Sequence, residues 1–382
     1  IQSHQWAASS KHVLFVQDKG GNENFHVYAA DVATGEVRDL TPVKEGARAT
    51  IQGISNKRPN EVLIGSNERV PQLFDLFIVD IATGEKTLVK ENPGYAGWLV
   101  DNSLTPRFGA QPQPGGGMNV VDFDGKTLLE IPGEDALTTQ AIAFNATNDA
   151  IYMQDSRGRD KVALTVLDIA TGELKEVGSS ELADVNDVFM HPTLHQPLAY
   201  SVDYLRVEWT ALDTELGNDI EFMKKEIGGN LAILSSTDDA SKLVVYSDSA
   251  QRPGAYFVVD RANKTATKMF DTRPDLADAP LQPLHPREIR SRDGLTLVSY
   301  LTLPAGSDPD GDGKPDSPQP MLLWVHGGPW ARNNAGYSGV HQWLANRGYA
   351  VLSVNYRGST GFGKKFTNAA VREFAGKMHD DL

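Results

Sequence analysis

Residues 31–36 read Asp-Val-Ala-Thr-Gly-Glu, and nearly the same six residues return as Asp-Ile-Ala-Thr-Gly-Glu at 80–85 and at 168–173. Each copy follows a short apolar run, and a second such run comes after it. In Asp-x-x-Thr-Gly the aspartate side chain caps a tight turn and the glycine takes a positive φ. Each copy therefore predicts a β-hairpin.

Weaker copies of this turn lie at Asp122, Asp213 and Asp260, so that successive copies are 42 to 49 residues apart. A period of about 40–50 residues with several short strands in each unit is typical of a β-propeller. Six units can be counted along the repeat. We therefore predict a β-propeller of about six to seven blades over residues 1–275.

The repeat stops in the proline-rich segment 271–286, and a different pattern follows. Its apolar periodicity predicts strands at 295–303, 321–325 and 349–355, a helix near 340–347, and a helical segment near 365–377. Strands that alternate with helices indicate a parallel α/β sheet. We predict that residues 276–382 form the N-terminal half of an α/β-hydrolase domain.

The strand predicted at 321–325 ends in His326-Gly327-Gly328-Pro329. A glycine pair at a strand end exposes backbone N–H groups, which can stabilise the oxyanion that forms when a serine attacks a carbonyl. A His-Gly-Gly run after a strand is the oxyanion-loop signature of α/β-hydrolases. Gly328, Gly327 and His326 are therefore the candidate catalytic residues. No Gly-x-Ser-x-Gly nucleophile elbow occurs in the 382 residues, and both ends of the chain look cut.

Several segments together resemble the prolyl oligopeptidase family of serine peptidases. They are Trp6-Ala7, 17–24, the Asp-x-x-Thr-Gly-Glu turns, 291–294, 326–329 and 355–363. The closest likeness is to the acylaminoacyl-peptidase-like branch, because His-Gly-Gly-Pro stands where other branches carry a tyrosine. The resemblance implies a propeller that admits only short peptides to a Ser-Asp-His triad.

That resemblance also assigns roles within the chain. Gly328 resembles the oxyanion-hole glycine, with Gly327 and His326 shaping the loop, and the triad would lie beyond Leu382. The parent protein would hydrolyse short or N-acylated peptides without a required cofactor, and this chain alone would be inactive. A propeller that binds partners without catalysis is the alternative from another functional class.

An acidic loop offers a candidate metal site. Asp308, Asp310 and Asp312 alternate before Gly313, as at the start of an EF-hand-type calcium loop, and Asp316 falls at the ninth place. The twelfth place is Gln319 instead of a bidentate glutamate, so a solvated acidic loop is the alternative to Ca²⁺ binding.

Other polar residues have simpler interpretations. Ser359 is expected to be a turn serine and Arg357 to form an internal salt bridge. His191 and His195 are expected to lie in a turn, because the prolines around them exclude a helix that would hold a metal. A site for a peptide amino terminus at Glu208-Trp209 and Glu221 is only a loose match.

Composition limits the partners. The net charge of −14 offers no basic face to nucleic acid, and no run approaches the 18 apolar residues of a membrane span. The expected partners are short peptides, the other half of the hydrolase domain and, as an open alternative, further copies of the chain. With no cysteine and no recognisable leader, the compartment stays open between cytoplasmic and periplasmic or secreted.

Overall fold

The structure is a computed structural model that describes residues 1–43 and 46–382. It divides into two compact units. The first contains Ile1–Ala136, Ala143–Ile151 and Asp168–Glu173, and the second contains Leu137–Ile142, Tyr152–Leu167 and Leu174–Leu382. The domain boundary between residues 275 and 276 stays a prediction. No helix of the described residues is both long and apolar enough to cross a membrane.

Six antiparallel sheets of consecutive strands occupy most of the described residues. The first three contain β1 Ser3–Trp6, β2 His12–Gln17, β3 His26–Asp31, β4 Val37–Asp39, β5 Ala49–Ile54, β6 Glu61–Val70, β7 Leu73–Asp80, β8 Lys86–Lys90, β9 Gly97–Val100, β10 Pro106–Pro112, β11 Met118–Val121 and β12 Thr127–Ile131. The next three contain β13 Gln140–Phe144, β14 Ala150–Asp155, β15 Ala163–Asp168, β16 Leu174–Gly178, β17 Val185–Met190, β18 Pro197–Asp203, β19 Val207–Ala211, β20 Asn230–Ser236, β21 Lys242–Ser249, β22 Arg252–Asp260 and β23 Thr265–Asp271. These sheets are the blades of a β-propeller, which confirms the predicted fold class.

The repeated turns join the third and fourth strands of their sheets as predicted. In the second copy, Oδ1 of Asp80 accepts hydrogen bonds from the backbone N–H of Thr83 at 2.7 Å and from its hydroxyl at 2.9 Å. Gly84 follows with φ of 78°, which a residue with a side chain rarely adopts. The same bonds form at Asp31 and Asp168.

A hairpin turn at Asp213 was expected, and that prediction is wrong. Asp213 is the N-cap of helix α1, Thr214–Glu226, and its side chain accepts a hydrogen bond from the backbone N–H of Leu216. Leu216, Ile220 and Met223 are buried on one face of α1 and belong to the core cluster that includes Trp209 and Leu231. The helix thus replaces a fourth strand after β19.

A seventh sheet contains both strand directions. Its strands and the helices around them are β24 Leu284–Arg290, β25 Thr296–Thr302, β26 Met321–Leu323, α2 Gly339–Asn346, β27 Ala350–Val354, α3 Lys364–Asn368 and α4 Lys377–Asp380. The order is β24-β25-β27-β26, with β27 antiparallel to β25 and parallel to β26. This sheet is the N-terminal half of an α/β-hydrolase domain, as predicted. Short 3₁₀ turns lie at Gly133–Asp135 and Pro274–Leu276.

One helical segment predicted near 365–377 is two short helices instead, α3 and α4. Between them Arg372 and Ala375 have φ of 64° and 57°, which no helix continues through, and Gly376 follows. The predicted helix near 340–347 is confirmed as α2, and Gly348 follows it with φ of 87°.

Candidate active site

The His326–Pro329 loop follows β26 at the carboxyl end of the strand. Gly327 and Gly328 are exposed, whereas Pro329 is buried. Among the residues that the structure describes, none accepts a hydrogen bond from the backbone N–H of Gly327 or Gly328. Gly328 has φ of 137°, and a Cβ there would lie 2.7 Å from the backbone nitrogen of Trp330. The loop therefore presents two free donors on a backbone that requires glycine at 328.

His326 is held against the segment that follows β27. Its ring stacks on Tyr356 with centroids 4.6 Å apart, and the Tyr356 hydroxyl donates to the His326 carbonyl at 3.1 Å. Nε2 of His326 lies 2.9 Å from Oγ of Ser359, and Nδ1 lies 2.8 Å from the Gly327 carbonyl. Two of the motifs that carried the family resemblance, 326–329 and 355–363, thus contact each other directly.

Burial lowers the pKa of His326 below its ordinary 6.5, and the hydrogen bond to the Gly327 carbonyl only partly opposes this shift. In the neutral ring Nδ1 donates to the Gly327 carbonyl, and the single hydrogen of the Ser359 hydroxyl serves either Nε2 or the Tyr356 carbonyl. Ser359 is fully buried, and its Oγ also lies 2.7 Å from the Tyr356 carbonyl. A buried hydroxyl held in this way cannot meet a substrate, so Ser359 is a turn serine, as expected.

The strand end before the loop is fixed by a second histidine, which the sequence analysis did not single out. His341 of α2 places Nδ1 2.9 Å from the Thr302 hydroxyl and Nε2 2.7 Å from the Ser353 hydroxyl. Ser353 donates to the Trp324 carbonyl at 3.0 Å, so Nε2 of His341 is the donor to Ser353 and Nδ1 accepts from Thr302. Burial lowers the pKa of His341 to about 4, which keeps the ring neutral.

Arg357 forms the expected internal salt bridge. Its guanidinium donates to both carboxylate oxygens of Asp381 at 2.7 and 2.8 Å and to both of Asp293 at 2.7 and 2.9 Å. The side chains of Arg357 and Asp381 are 5% and 1% exposed. These bonds raise the pKa of Arg357 and hold the pKa of Asp293 below its ordinary value. Arg357 is therefore committed to protein carboxylates.

Arg332, four residues after Gly328, was also missed by the sequence analysis. Its guanidinium donates to the Asp203 carbonyl at 2.8 Å and lies 4.4 Å from the centre of the Phe362 ring. Both partners lie far from Arg332 in sequence, so no local sequence pattern predicts these contacts. Arg332 ties the segment after the loop to the end of β18.

The acidic loop between β25 and β26 brings three of its four predicted ligands together. One carboxylate oxygen from each of Asp308, Asp310 and Asp312 lies within 4.8 Å of the others. Asp316 is exposed and is not part of this group.

Of the remaining polar candidates, Trp209 and Glu221 line one cavity beside the start of α1. Trp209 is buried, with Nε1 donating to the Leu231 carbonyl at 2.8 Å, and Glu221 is 72% exposed and paired with Lys224. His191 and His195 lie in the turn between β17 and β18, where Nδ1 of His191 accepts from the backbone N–H of Leu194.

The chain is similar in sequence to known peptidases. Residues 335–382 match the sequence model of the prolyl oligopeptidase family. Over its whole length the chain is 44% identical to a dipeptidyl aminopeptidase BIII of Pseudoxanthomonas mexicana and 32% identical to dipeptidyl peptidase family member 6 of Caenorhabditis elegans. In both cases it covers 56% of the relative, so the chain spans about half the length of these curated proteins.

Solved structures share the fold. A puromycin-hydrolysing peptidase of Mycobacterium tuberculosis matches with a TM-score of 0.67 at 15% identity, over 97% of this chain and 60% of that one. An acylaminoacyl peptidase of Pyrococcus horikoshii matches with a TM-score of 0.63 at 15% identity, over 99% of this chain and 61% of that one.

Proposed function

Because the chain belongs to the prolyl oligopeptidase family, we propose that it is part of a serine peptidase that acts on short peptides. The free N–H groups of Gly327 and Gly328 at the end of β26 are the observation that carries this proposal. In the proposed reaction they donate to the oxyanion that forms as a serine attacks the substrate carbonyl.

His326 acts here as a positioning residue. Its ring is stacked on Tyr356 and hydrogen-bonded to buried Ser359, so the backbone that carries the two donors has little freedom to move. Donors that are already oriented require no reorganisation when the negative charge develops. The neutral ring adds no charge of its own to this region.

The proposal takes the serine, histidine and aspartate of the triad from outside these 382 residues. The elbow-like Ser359 follows Arg357-Gly358 and is fully buried. We therefore expect the 382-residue chain alone to hydrolyse no peptide.

The two curated relatives are named for the release of dipeptides, which makes peptides with a free amino terminus the first substrates to test. The likeness of the loop to the acylaminoacyl-peptidase-like branch makes N-acylated peptides the second. A dipeptidyl p-nitroanilide and its N-acetylated form distinguish them, because only the amino terminus differs. A higher kcat/KM for the free form would assign dipeptidyl release, and the reverse would assign acyl-peptide hydrolysis.

The test is made on the full-length protein that contains these residues, with fluorophosphonate labelling to count active serines. Gly328→Ala keeps the N–H but its Cβ would collide with the backbone of Trp330, so the donor is displaced, and kcat is expected to fall by up to about 10²–10³-fold, the cost of losing one oxyanion donor, with little change in KM. Labelling without turnover by the variant supports the role of the loop. Unchanged kcat in Gly328→Ala would refute it, and absence of labelling in the wild type would favour the propeller that only binds.

Gly327→Ala is the matched comparison. A Cβ at 327 would have no heavy atom within 4 Å, whereas a Cβ at 328 would contact the backbone of Trp330. We expect Gly327→Ala to lower kcat less than Gly328→Ala does. The reverse order would mean that the backbone at 328 does not position the oxyanion donor.

A further inference from the structure

The acidic loop between β25 and β26 has a structure that the peptidase reaction does not explain. Asp308, Asp310 and Asp312 place one carboxylate oxygen each within 4.8 Å of the others. We propose that these three carboxylates bind a calcium ion. This inference is independent of the proposed peptidase activity.

A group of acidic side chains is common on protein surfaces, so the proposal depends on a second observation at Asp308. The Asp308 side chain is only 7% exposed, which is unusual for a carboxylate. Its Oδ2 accepts a hydrogen bond from the backbone N–H of Gly313 at 2.9 Å. Its Oδ1 is buried, and no donor among the described residues reaches it. A buried carboxylate oxygen without a donor is costly, and a cation bound to it removes that cost.

The neighbouring basic groups compensate the three carboxylates only in part. Arg287 donates to the backbone carbonyls of Asp312 and Gly313 at 3.1 and 2.8 Å, instead of to a carboxylate. Lys314 lies 3.5 Å from Oδ2 of Asp312, but its side chain is 80% exposed. Nε2 of His285 lies 3.5 Å from Oδ2 of Asp308, the oxygen that Gly313 already satisfies. Oδ1 of Asp308 therefore remains without a partner of opposite charge.

The loop is already ordered around this group. Gly313 has φ of 79°, and a Cβ there would lie 1.9 Å from Nη2 of Arg287. The backbone N–H of Asp316 donates to the Ser307 carbonyl at 2.8 Å and closes the loop. An ion that binds here has little backbone to reorganise.

Calcium fits these ligands better than magnesium. Ca²⁺ accepts carboxylate and carbonyl oxygens in a flexible geometry with six to eight ligands, whereas Mg²⁺ demands an octahedron and keeps its waters. With three carboxylates and no bidentate glutamate, we expect a dissociation constant of about 10⁻⁴–10⁻³ M, as in extracellular calcium modules.

The experiment is a calorimetric titration of the metal-free 382-residue chain with CaCl₂ and then, separately, with MgCl₂. Heat of binding for one Ca²⁺, much weaker binding of Mg²⁺, and a rise of about 1–2 °C in the unfolding temperature at millimolar Ca²⁺ are expected. Absence of heat at millimolar Ca²⁺ would overturn the proposal, and so would equal binding of the two ions.

Three variants locate the site. Asp308→Asn keeps an oxygen for the Gly313 N–H but loses the charge, and we expect its affinity for Ca²⁺ to fall by at least about tenfold. The double variant Asp310→Asn/Asp312→Asn changes only exposed side chains, so it should fold normally. Its affinity for Ca²⁺ should fall by at least as much as that of Asp308→Asn. Asp316→Asn, outside the group, is the matched control and should bind as the wild type does. Wild-type affinity in both Asp308→Asn and the double variant would overturn the proposal.

Discussion

Asp80 and Asp381 are both aspartates that accept several hydrogen bonds, but they obtain them in opposite ways. Asp80 lies in a turn and is bonded to Thr83, three residues further on. Asp381 is bonded to Arg357, 24 residues earlier, and Arg357 reaches a third residue, Asp293. The Asp381 side chain is 1% exposed, whereas Asp80 lies at the exposed end of a hairpin.

The two sets of hydrogen bonds differ in how many parts of the structure they hold together. The bonds of Asp80 fix one turn, and water can replace them when they are lost. The bonds of Arg357 join the turn at 293, the segment after β27 and the residue that follows α4, and the Asp381 side chain is only 1% exposed to water that could replace them. Loss of a local polar contact should therefore cost little, and loss of the distant one should cost much.

The largest effect is expected from Arg357→Met, which keeps the volume and removes the charge. Asp381 then keeps only the hydrogen bond from the backbone N–H of residue 357, and its buried charge has no counterion, so the free energy of unfolding should fall by about 3–5 kcal/mol. Denaturant unfolding measures the change directly, provided that the transition is a single cooperative step.

Arg292→Met is the matched control for this experiment. Arg292 forms an ion pair with Asp380, next to Asp381, but the two side chains are 81% and 55% exposed. A surface pair of this kind contributes about 0–1 kcal/mol. If the free energy of unfolding fell by the same amount in both methionine variants, burial would not explain the different contributions of the two ion pairs.

A smaller effect is expected at His341, another buried polar group with distant partners. Its pKa of about 4 in the folded chain lies below the ordinary 6.5, so the unfolded chain binds the proton more strongly. Stability should therefore be complete above pH 6.5 and fall as the pH drops towards 4, by up to about 3 kcal/mol. His341→Gln, unfolded over the same pH range, should lack this part of the slope. Identical pH profiles would show that His341 does not titrate on unfolding.

The smallest effect is expected at the local turn. Asp80→Ala removes the bonds to Thr83 and should lower the free energy of unfolding by about 1 kcal/mol. Asp80→Ala/Thr83→Ala should lose little more than Asp80→Ala, because both changes remove one shared interaction. If Asp80→Ala lowered the free energy of unfolding as much as Arg357→Met does, local and distant contacts would not differ in their contribution to stability.

The same distinction explains which parts of the fold could be predicted from the sequence. The hairpin turns depend on residues three or four apart, so the six letters of the repeat specify them. Asp213 was misread because an N-cap and this turn place the same oxygen on the N–H three residues later. The spacing of Leu216, Ile220 and Met223 was the signal for α1, since it repeats at helical and not at strand periodicity.

The candidate site could be predicted only in part. The glycines at 327 and 328 could be proposed as candidates because a short motif at a strand end carries its own chemistry, and their catalytic role stays a prediction. The contact between His326 and Ser359 spans 33 residues, and that between His341 and Thr302 spans 39. Such contacts exist only after the sheet has formed, so they cannot be predicted from any short stretch of sequence.

The strand order β24-β25-β27-β26 has a consequence for synthesis on the ribosome. In each propeller sheet, every strand after the first pairs with the strand made just before it, so the sheet can form as the chain emerges. Met321–Leu323 pairs only with Ala350–Val354 among the described strands, and that partner is translated later. In the nascent chain β26, which leads to the two glycine donors, therefore stays unpaired until α2 and β27 have left the exit tunnel.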